Sequence, residues 1–501
     1  MDFLDPASCY RAFQTRDRRF DGRVFCGVTS TGIFCRPICP ARTPKFENCR
    51  YFASAAAAQL NGFRPCLRCR PEVAPELAAW RGTFNTVSRA LALITEGGLD
   101  DSDASLDALA TRVGVSARHL RRLFQEHIGA SPLAVVQTRR VLLAKQLIHE
   151  TRMSMTEIAQ AAGFGSVRRF NETFQMLFKR PPSALRRRAA LTAHNQMAKT
   201  GVTLRVPYQP PYDWSAMLGY LAARAIDGVE WVSKDLYCRS VTHAGGVGMV
   251  AVANQAAQNC LAVTVHFPRV DALPAILARV KRVFDVSADI QAINQHLAKS
   301  PALSKLVQQR PGLRAPGAWE GFELAVRAIL GEQITVEAAR RLLSQLVSLC
   351  GEPLKNFADE HVAPHLALTY TFPTPSQVAK ANLDQLRLPS ARRETLRALA
   401  NAAIDDAQLF YPQANMELAV ERLKNIRGIG EWTAQYIALR ALRETDAFPA
   451  SDVALLRCAT NGHDKRLTPN QLIVQSQPWR PWRAYAAQHL WAADAAANAY
   501  D

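Results

Sequence analysis

Four cysteines in two close pairs carry the strongest chemical signal in this sequence: Cys35-x3-Cys39 and, 26 intervening residues later, Cys66-x2-Cys69. Thiolates are soft ligands, and two short loops closed by a longer one can turn four sulfurs toward one ion, as a tetrahedral Zn²⁺ site requires. The predicted cofactor is Zn²⁺, held by Cys35, Cys39, Cys66 and Cys69. Cys9, Cys26 and Cys49 have no close partner and read as core thiols. A second constellation lies far downstream, in Ile426-Arg427-Gly428-Ile429-Gly430-Glu431-Trp432. Lacking Cβ atoms, Gly428 and Gly430 let backbone N–H groups approach a phosphate at the positive end of a helix dipole. Asp452 follows the second glycine by 22 residues and opens an apolar stretch, Val453–Cys458, as a helix N-cap.

Positioning these residues takes several domains. At about 100–200 residues each, 501 residues amount to about three or four of them. The hydrophobic fraction is 48 % and the charged fraction 21 %, ordinary for a soluble chain, and no apolar run is long enough to span a bilayer. The start, MDFLDPASCYR, is acidic and interrupted by proline, unlike a secretory signal, so a cytoplasmic location with reduced cysteines is expected and no membrane partner. The net charge is +18, and residues 1–200 supply +14 of it, with 30 Lys and Arg against 16 Asp and Glu. Such concentration points to a polyanion at that end, most simply nucleic acid.

The predicted fold is multidomain and mainly α. Residues 1–78 hold seven of the 11 cysteines and read as a small zinc-bound α+β domain. Residues 83–190 read as helical, and a linker is expected at 191–201. A small α+β domain is expected over 202–286. Its strands fall at Val202–Val206, Tyr237–Thr242, Gly246–Ala253 and Cys260–Phe267, and its helices at Trp214–Asp227 and Leu273–Val283. Residues 287–501 read as an all-α core. Within the second segment, Ala110, Gly114 and Ser116 have the spacing of a helix-turn-helix, followed by a helix with Arg118, Arg121 and Arg122 around Leu120, Leu123 and Phe124. The unit recurs at Ile158–Ser166, followed by Arg168 and Arg169, with a long helix at Pro132–Glu150 between the two.

Phe34-Cys35-Arg36-Pro37-Ile38-Cys39-Pro40-Ala41-Arg42 with Gly62-Phe63-Arg64-Pro65-Cys66-Leu67-Arg68-Cys69 closely resembles the amino-terminal domain of the Ada methylation-response family. The resemblance implies that one zinc thiolate, by position Cys35, irreversibly accepts a methyl group from a methylphosphotriester in DNA. Methylation would reduce the formal charge of the site from −2 to −1 and so lessen repulsion from phosphate, an electrostatic switch. Arg36, Arg42, Arg64 and Arg68 are candidate phosphate contacts, as are Lys45 and Arg70. The tandem helix-turn-helix, closed by Phe178-Lys179-Arg180-Pro181-Pro182-Ser183, resembles the AraC-type DNA-binding domain, which implies promoter sites and RNA polymerase as partners.

Gly428, Gly430 and Asp452 together resemble a helix-hairpin-helix DNA glycosylase. The likeness to the AlkA 3-methyladenine glycosylase family covers roughly 202–497, including Gln209–Trp214, Arg327–Gly331, Trp479–Arg483 and His489–Trp491. It implies Asp452 as the catalytic carboxylate, Tyr220, Trp432, Tyr436 and Trp491 as pocket aromatics for a flipped alkylated purine, and Gln333 as a wedge. Strand-cleaving relatives place a Schiff-base lysine where this chain has Trp432, so a monofunctional glycosylase of the 3-methyladenine II type is expected. Glu332 stands where relatives commonly carry Gln, and Val453 replaces an aromatic. The Pro-Cys-His-Arg site of full-length Ada is absent from the sequence, so O⁶-alkylguanine repair is not expected. The composite reading is a methyl-accepting activator fused to a base-excision enzyme acting on alkylated double-stranded DNA. The alternative is an AraC-type regulator with a structural zinc and a non-catalytic lesion-binding domain.

Overall fold

The computed structural model describes residues 5–75, 85–95, 105–186, 201–354, 368–411, 413, 415–460 and 467–497. The expected boundaries near 78–83 and at 190, and the linker up to residue 200, lie outside them. The chain forms two compact units, Met1–Gln209 with Gln255–Ala278, and Pro210–Asn254 with Arg279–Asp501.

In the first unit, strand β1 (Phe25–Val28) pairs antiparallel with β2 (Ile33–Cys35) and with β3 (Cys49–Phe52), while β4 (Arg64–Pro65) runs parallel to β2. The two-residue period of the strands sorts the side chains. Phe25, Phe34, Phe52 and Phe63 cluster with Ala58 of helix Ala55–Leu60. Cys26, Val28, Cys35, Cys49 and Tyr51 cluster with Cys9 and Phe13 of helix Pro6–Gln14. Cys9 and Cys26 are buried thiols of that core, and Cys49 borders it.

Both helix-turn-helix units are built as their spacing demands. Helices Leu106–Arg112 and Ala117–Ile128 are joined through Gly114, at φ +76°, and the Ser116 side chain accepts from the His119 N–H. Helices Met155–Ala161 and Val167–Phe178 repeat the design with Gly163 at φ +77° and Ser166 as cap. The connecting helix is Pro132–Glu150, opened by Ser131 and a proline in its first turn. Its inner face carries charge. Lys145, fully buried, donates to the Cys66 carbonyl at 3.1 Å and pairs with the fully buried Glu72. Arg70 bridges Glu72 and Glu150, and Glu150 in turn accepts from the backbone and guanidinium of Arg205. Arg205 belongs to β5 (Val202–Pro207), which pairs antiparallel with a strand at Cys260–His266. The cysteine loop, the helix-turn-helix and β5 are thereby fastened by one ionic chain, buried except at its Arg205 end.

In the second unit, β6 (Glu230–Val232), β7 (Leu236–His243) and β8 (Gly246–Gln255) form an antiparallel meander, counting Gln255 as its last residue. β6 was not anticipated: three half-buried residues are too few to show a period. Trp214–Arg224 is helical, three residues shorter than expected, and Asp213 caps it by accepting from the Ala216 N–H. Arg327, the first residue of the Arg327–Gly331 motif, is an internal anchor that pairs with Glu323 and Glu230. Burial opposes a charged Glu323, but Arg239 and Arg327 outweigh it and hold the carboxyl down to about 2. The described residues after 287 are dominated by helices, with one isolated bridge between Pro353 and Tyr370. Mainly helical, multidomain architecture is thus what the chain adopts.

Candidate functional site

The four cysteines of the two pairs meet. Cys35 ends β2, Cys39 lies in the following turn, and Cys66 and Cys69 follow β4; their Sγ atoms all lie within 4.8 Å of one another. Tetrahedral Zn–S bonds of about 2.3 Å place sulfurs roughly 3.8 Å apart, so the cluster fits that ion with little movement. Backbone N–H groups of Arg36 and Arg68 donate to Cys69 Sγ at 3.4 Å and to Cys66 Sγ at 3.3 Å, bonds that favour thiolate. Hydrogen bonds from Cys35 hold the Cys39 and Cys66 thiols below their usual range, while the same contacts push Cys35 up. Sulfurs this close ionise together only around a cation. Cys39, Cys66 and Cys69 are buried, whereas Cys35 is half-buried.

The nearby arginines divide. Arg36 is buried, its guanidinium taken by Asp21 and by the Cys69 and Arg70 carbonyls, so the expectation of a phosphate contact there is corrected: it holds the cysteine loop together. Arg70 is likewise engaged by Glu72 and Glu150. Arg42 and Arg68 are exposed and Arg64 is half-exposed. Arg118, Arg121 and Arg122 are exposed on helix Ala117–Ile128, and Arg168 and Arg169 on helix Val167–Phe178, where Arg168 pairs with Glu172 at 2.8 Å.

In the second unit the hairpin glycines are exposed; Gly428 adopts φ +88° and Gly430 is the N-cap of helix Glu431–Arg440. Asp452 caps helix Val453–Ala459, its Oδ1 accepting from the Ala454 and Leu455 N–H groups at 3.0 Å each. The same carboxylate accepts from two indoles: Trp491 Nε1 reaches Oδ1 at 3.0 Å and Trp432 Nε1 reaches Oδ2 at 2.9 Å. Trp432 stacks on Tyr436 at 5.1 Å and 9°, Tyr436 meets Trp491 edge-on at 6.2 Å, and the Tyr220 and Tyr436 hydroxyls lie 3.1 Å apart. Asp452 and all four predicted aromatics therefore share one site. Gln333 lies apart from this hydrogen-bonded set, exposed in the loop between helices Gly321–Gly331 and Val336–Cys350, with φ +57°.

Along its whole length the sequence is 39 % identical to the "Probable bifunctional transcriptional activator/DNA repair enzyme AlkA" of Mycobacterium tuberculosis, covering 97 % of this chain and 96 % of that protein. The chain belongs to this Ada–AlkA fusion family. Within the fusion, residues 8–72 match the metal binding domain of Ada, 109–188 a helix-turn-helix domain and 203–320 the AlkA N-terminal domain. The DNA-3-methyladenine glycosylase 2 of Escherichia coli is 37 % identical over 57 % of this chain and 95 % of its own length. The 3-methyladenine DNA-glycosylase of Archaeoglobus fulgidus shares the fold over 58 % of this chain and 98 % of that one, at a TM-score of 0.50 and 18 % identity.

The fusion's aromatic site holds one feature that the sequence reading missed. Arg440, itself buried, lies 4.6 Å from the Tyr220 ring centroid, 5.0 Å from Tyr436 and 5.2 Å from Trp491, and donates to the Pro316 carbonyl and Gln488. Arg224 lies over Tyr220 at 4.1 Å. Two guanidinium groups thus lie against the Tyr220 ring, whose hydroxyl also meets that of Tyr436. The signal was present, because Arg440 falls four residues after Tyr436 in an otherwise apolar run.

Proposed function

We propose that this fusion protein is a bifunctional alkylation-response protein in which Cys35 accepts methyl groups from DNA methylphosphotriesters and Asp452 drives excision of alkylated purines such as 3-methyladenine. The observation that carries the excision reading is the Asp452 carboxylate, held by two indole N–H groups beside the hairpin. A cationic alkylpurine is already a good leaving group, so the protein's task is to receive the flipped base and steady the developing oxocarbenium charge. Asp452 does this from a fixed position. Its Oδ2, with a single indole partner, is the oxygen left to orient the attacking water. Trp432, Tyr436 and Trp491 form the pocket wall, Gln333 acts as wedge, and the N–H groups beside Gly428 and Gly430 grip phosphate. Asp452→Asn should lower base release from methylated duplex DNA by about 100-fold or more; release at the wild-type rate would remove Asp452 from the mechanism.

In the sensor half, Cys35, Cys39, Cys66 and Cys69 would hold Zn²⁺, which keeps thiolates deprotonated at neutral pH. The Cys35 sulfur attacks the methyl carbon; an S–C bond forms, the O–C bond breaks, and the phosphodiester departs as an anion. Arg42, Arg64 and Arg68 meet phosphate near the cysteines, and Arg118, Arg121, Arg122, Arg168 and Arg169 meet the promoter. The activator role brings RNA polymerase as a partner, and the thiolate site suits the reducing cytoplasm. The working division is 1–78, 83–190, 202–286 and 287–501. Labelled methylphosphotriester DNA should leave one methyl group per chain on Cys35 and none on Cys35→Ser.

A further inference from the structure

Glu332 ends helix Gly321–Gly331, and the residue after it, Gln333, has a left-handed backbone that a side chain rarely adopts. Such a conformation persists only where its surroundings hold it. Here two bonds do so, both through Glu332. Its carbonyl accepts from Arg392 Nη2 at 2.8 Å, and its carboxylate accepts from the Thr433 hydroxyl. Thr433 is buried in the first turn of helix Glu431–Arg440, where a carboxylate also complements the helix dipole, and its chain neighbour is Trp432, the donor to Asp452 Oδ2.

We propose that Glu332 is a positioning residue that ties the Gln333 loop to the Asp452 carboxylate. The path runs through named contacts: Gln333, Glu332, Thr433, Trp432, Asp452. Resting on the glycosylase reading, it means that seating the loop in a duplex and setting the carboxylate are one event. An acceptor is what this path requires, and the negative charge is not, since glutamine can also accept from Thr433.

The test measures single-turnover release of methylated purines by the full chain from duplex and from single-stranded DNA, where no partner strand has to be replaced. Glu332→Ala and Thr433→Val should each lower the duplex rate about 10-fold and leave the single-strand rate within about twofold, and their double variant should be no worse than either alone. Glu332→Gln should restore the duplex rate. The inference is overturned by an equal fall on both substrates, by no fall on duplex, or by a Glu332→Gln as impaired as Glu332→Ala. Wild-type release separates the levels: its absence defeats the glycosylase reading itself, its presence with the wrong variant pattern defeats only the coupling.

Discussion

Trp432 Nε1 donates to Asp452 Oδ2 at 2.9 Å while its ring stacks on Tyr436, so one side chain both builds the pocket wall and fixes the carboxylate. The two roles separate in Trp432→Phe, which keeps an aromatic ring and removes the N–H. A hydrogen bond to a charged group is worth about 1.5–3 kcal/mol, equivalent to roughly 10–100-fold in rate if all of it acts in the transition state. Trp432→Phe should therefore lower the single-turnover rate by at least about 10-fold with little change in KM, whereas Trp432→Ala should raise KM as well. Equal KM increases in both variants would show that the indole N–H does not act on the carboxylate.

Chemistry-bearing residues were legible because each announces itself locally. The cysteine pairs lie three to four residues apart, the glycines turn within one hairpin, and Asp452 stands directly before an apolar helix. What sequence could not show was which charges turn inward. Arg36 looks like any arginine beside a metal loop, yet Asp21, 15 residues away, captures it. Arg440 and Glu332 act across separations of 124 and 101 residues, a pairing that only the packed helices create.

The buried Lys145–Glu72 pair should behave as an internal charge, not as a surface bridge. Removing one partner of such a pair costs about 3–5 kcal/mol, because the other is left buried, while apolar replacement of both is nearly neutral. Lys145→Ala should lower the stability of the first unit by that amount in urea. Lys145→Met with Glu72→Leu should recover most of it, since Arg70 still has Glu150. A double variant less stable than Lys145→Ala would show that this pair holds the cysteine loop to the long helix in a way apolar contact cannot replace.

His489 sets an acid limit on the second unit. Burial, aided by the charge of Arg310, pushes its imidazole from 6.5 down to about 4. The unfolded chain therefore binds a proton between about pH 6.5 and 4 that the folded chain refuses. Its contribution is complete above pH 6.5 and is lost as pH falls toward 4, roughly 3 kcal/mol in total. Urea unfolding followed from pH 7 to 4.5 should show this slope in the wild type and a shallower one in His489→Gln. Parallel slopes would mean that the ring already charges in the folded state.

The two hairpin glycines should fail in different ways when a methyl group is added. Gly428 adopts φ +88°, and a Cβ built there would overlap the Thr395 hydroxyl on helix Ser390–Asp405. Gly428→Ala must then strain the turn or move it, with a loss of more than about 1 kcal/mol of stability and weaker DNA binding as a consequence. Gly430 has an ordinary φ of −85°, and no atom lies within 4 Å of the position a Cβ would take. Gly430→Ala should therefore fold as well as the wild type. If the backbone N–H groups beside it grip phosphate, the added methyl stands in the path of the strand, and affinity for undamaged duplex should fall about 10-fold with stability unchanged. Thermal unfolding and salt-controlled binding titrations on the same preparations decide it, because full affinity in Gly430→Ala would mean that DNA does not come close to this turn.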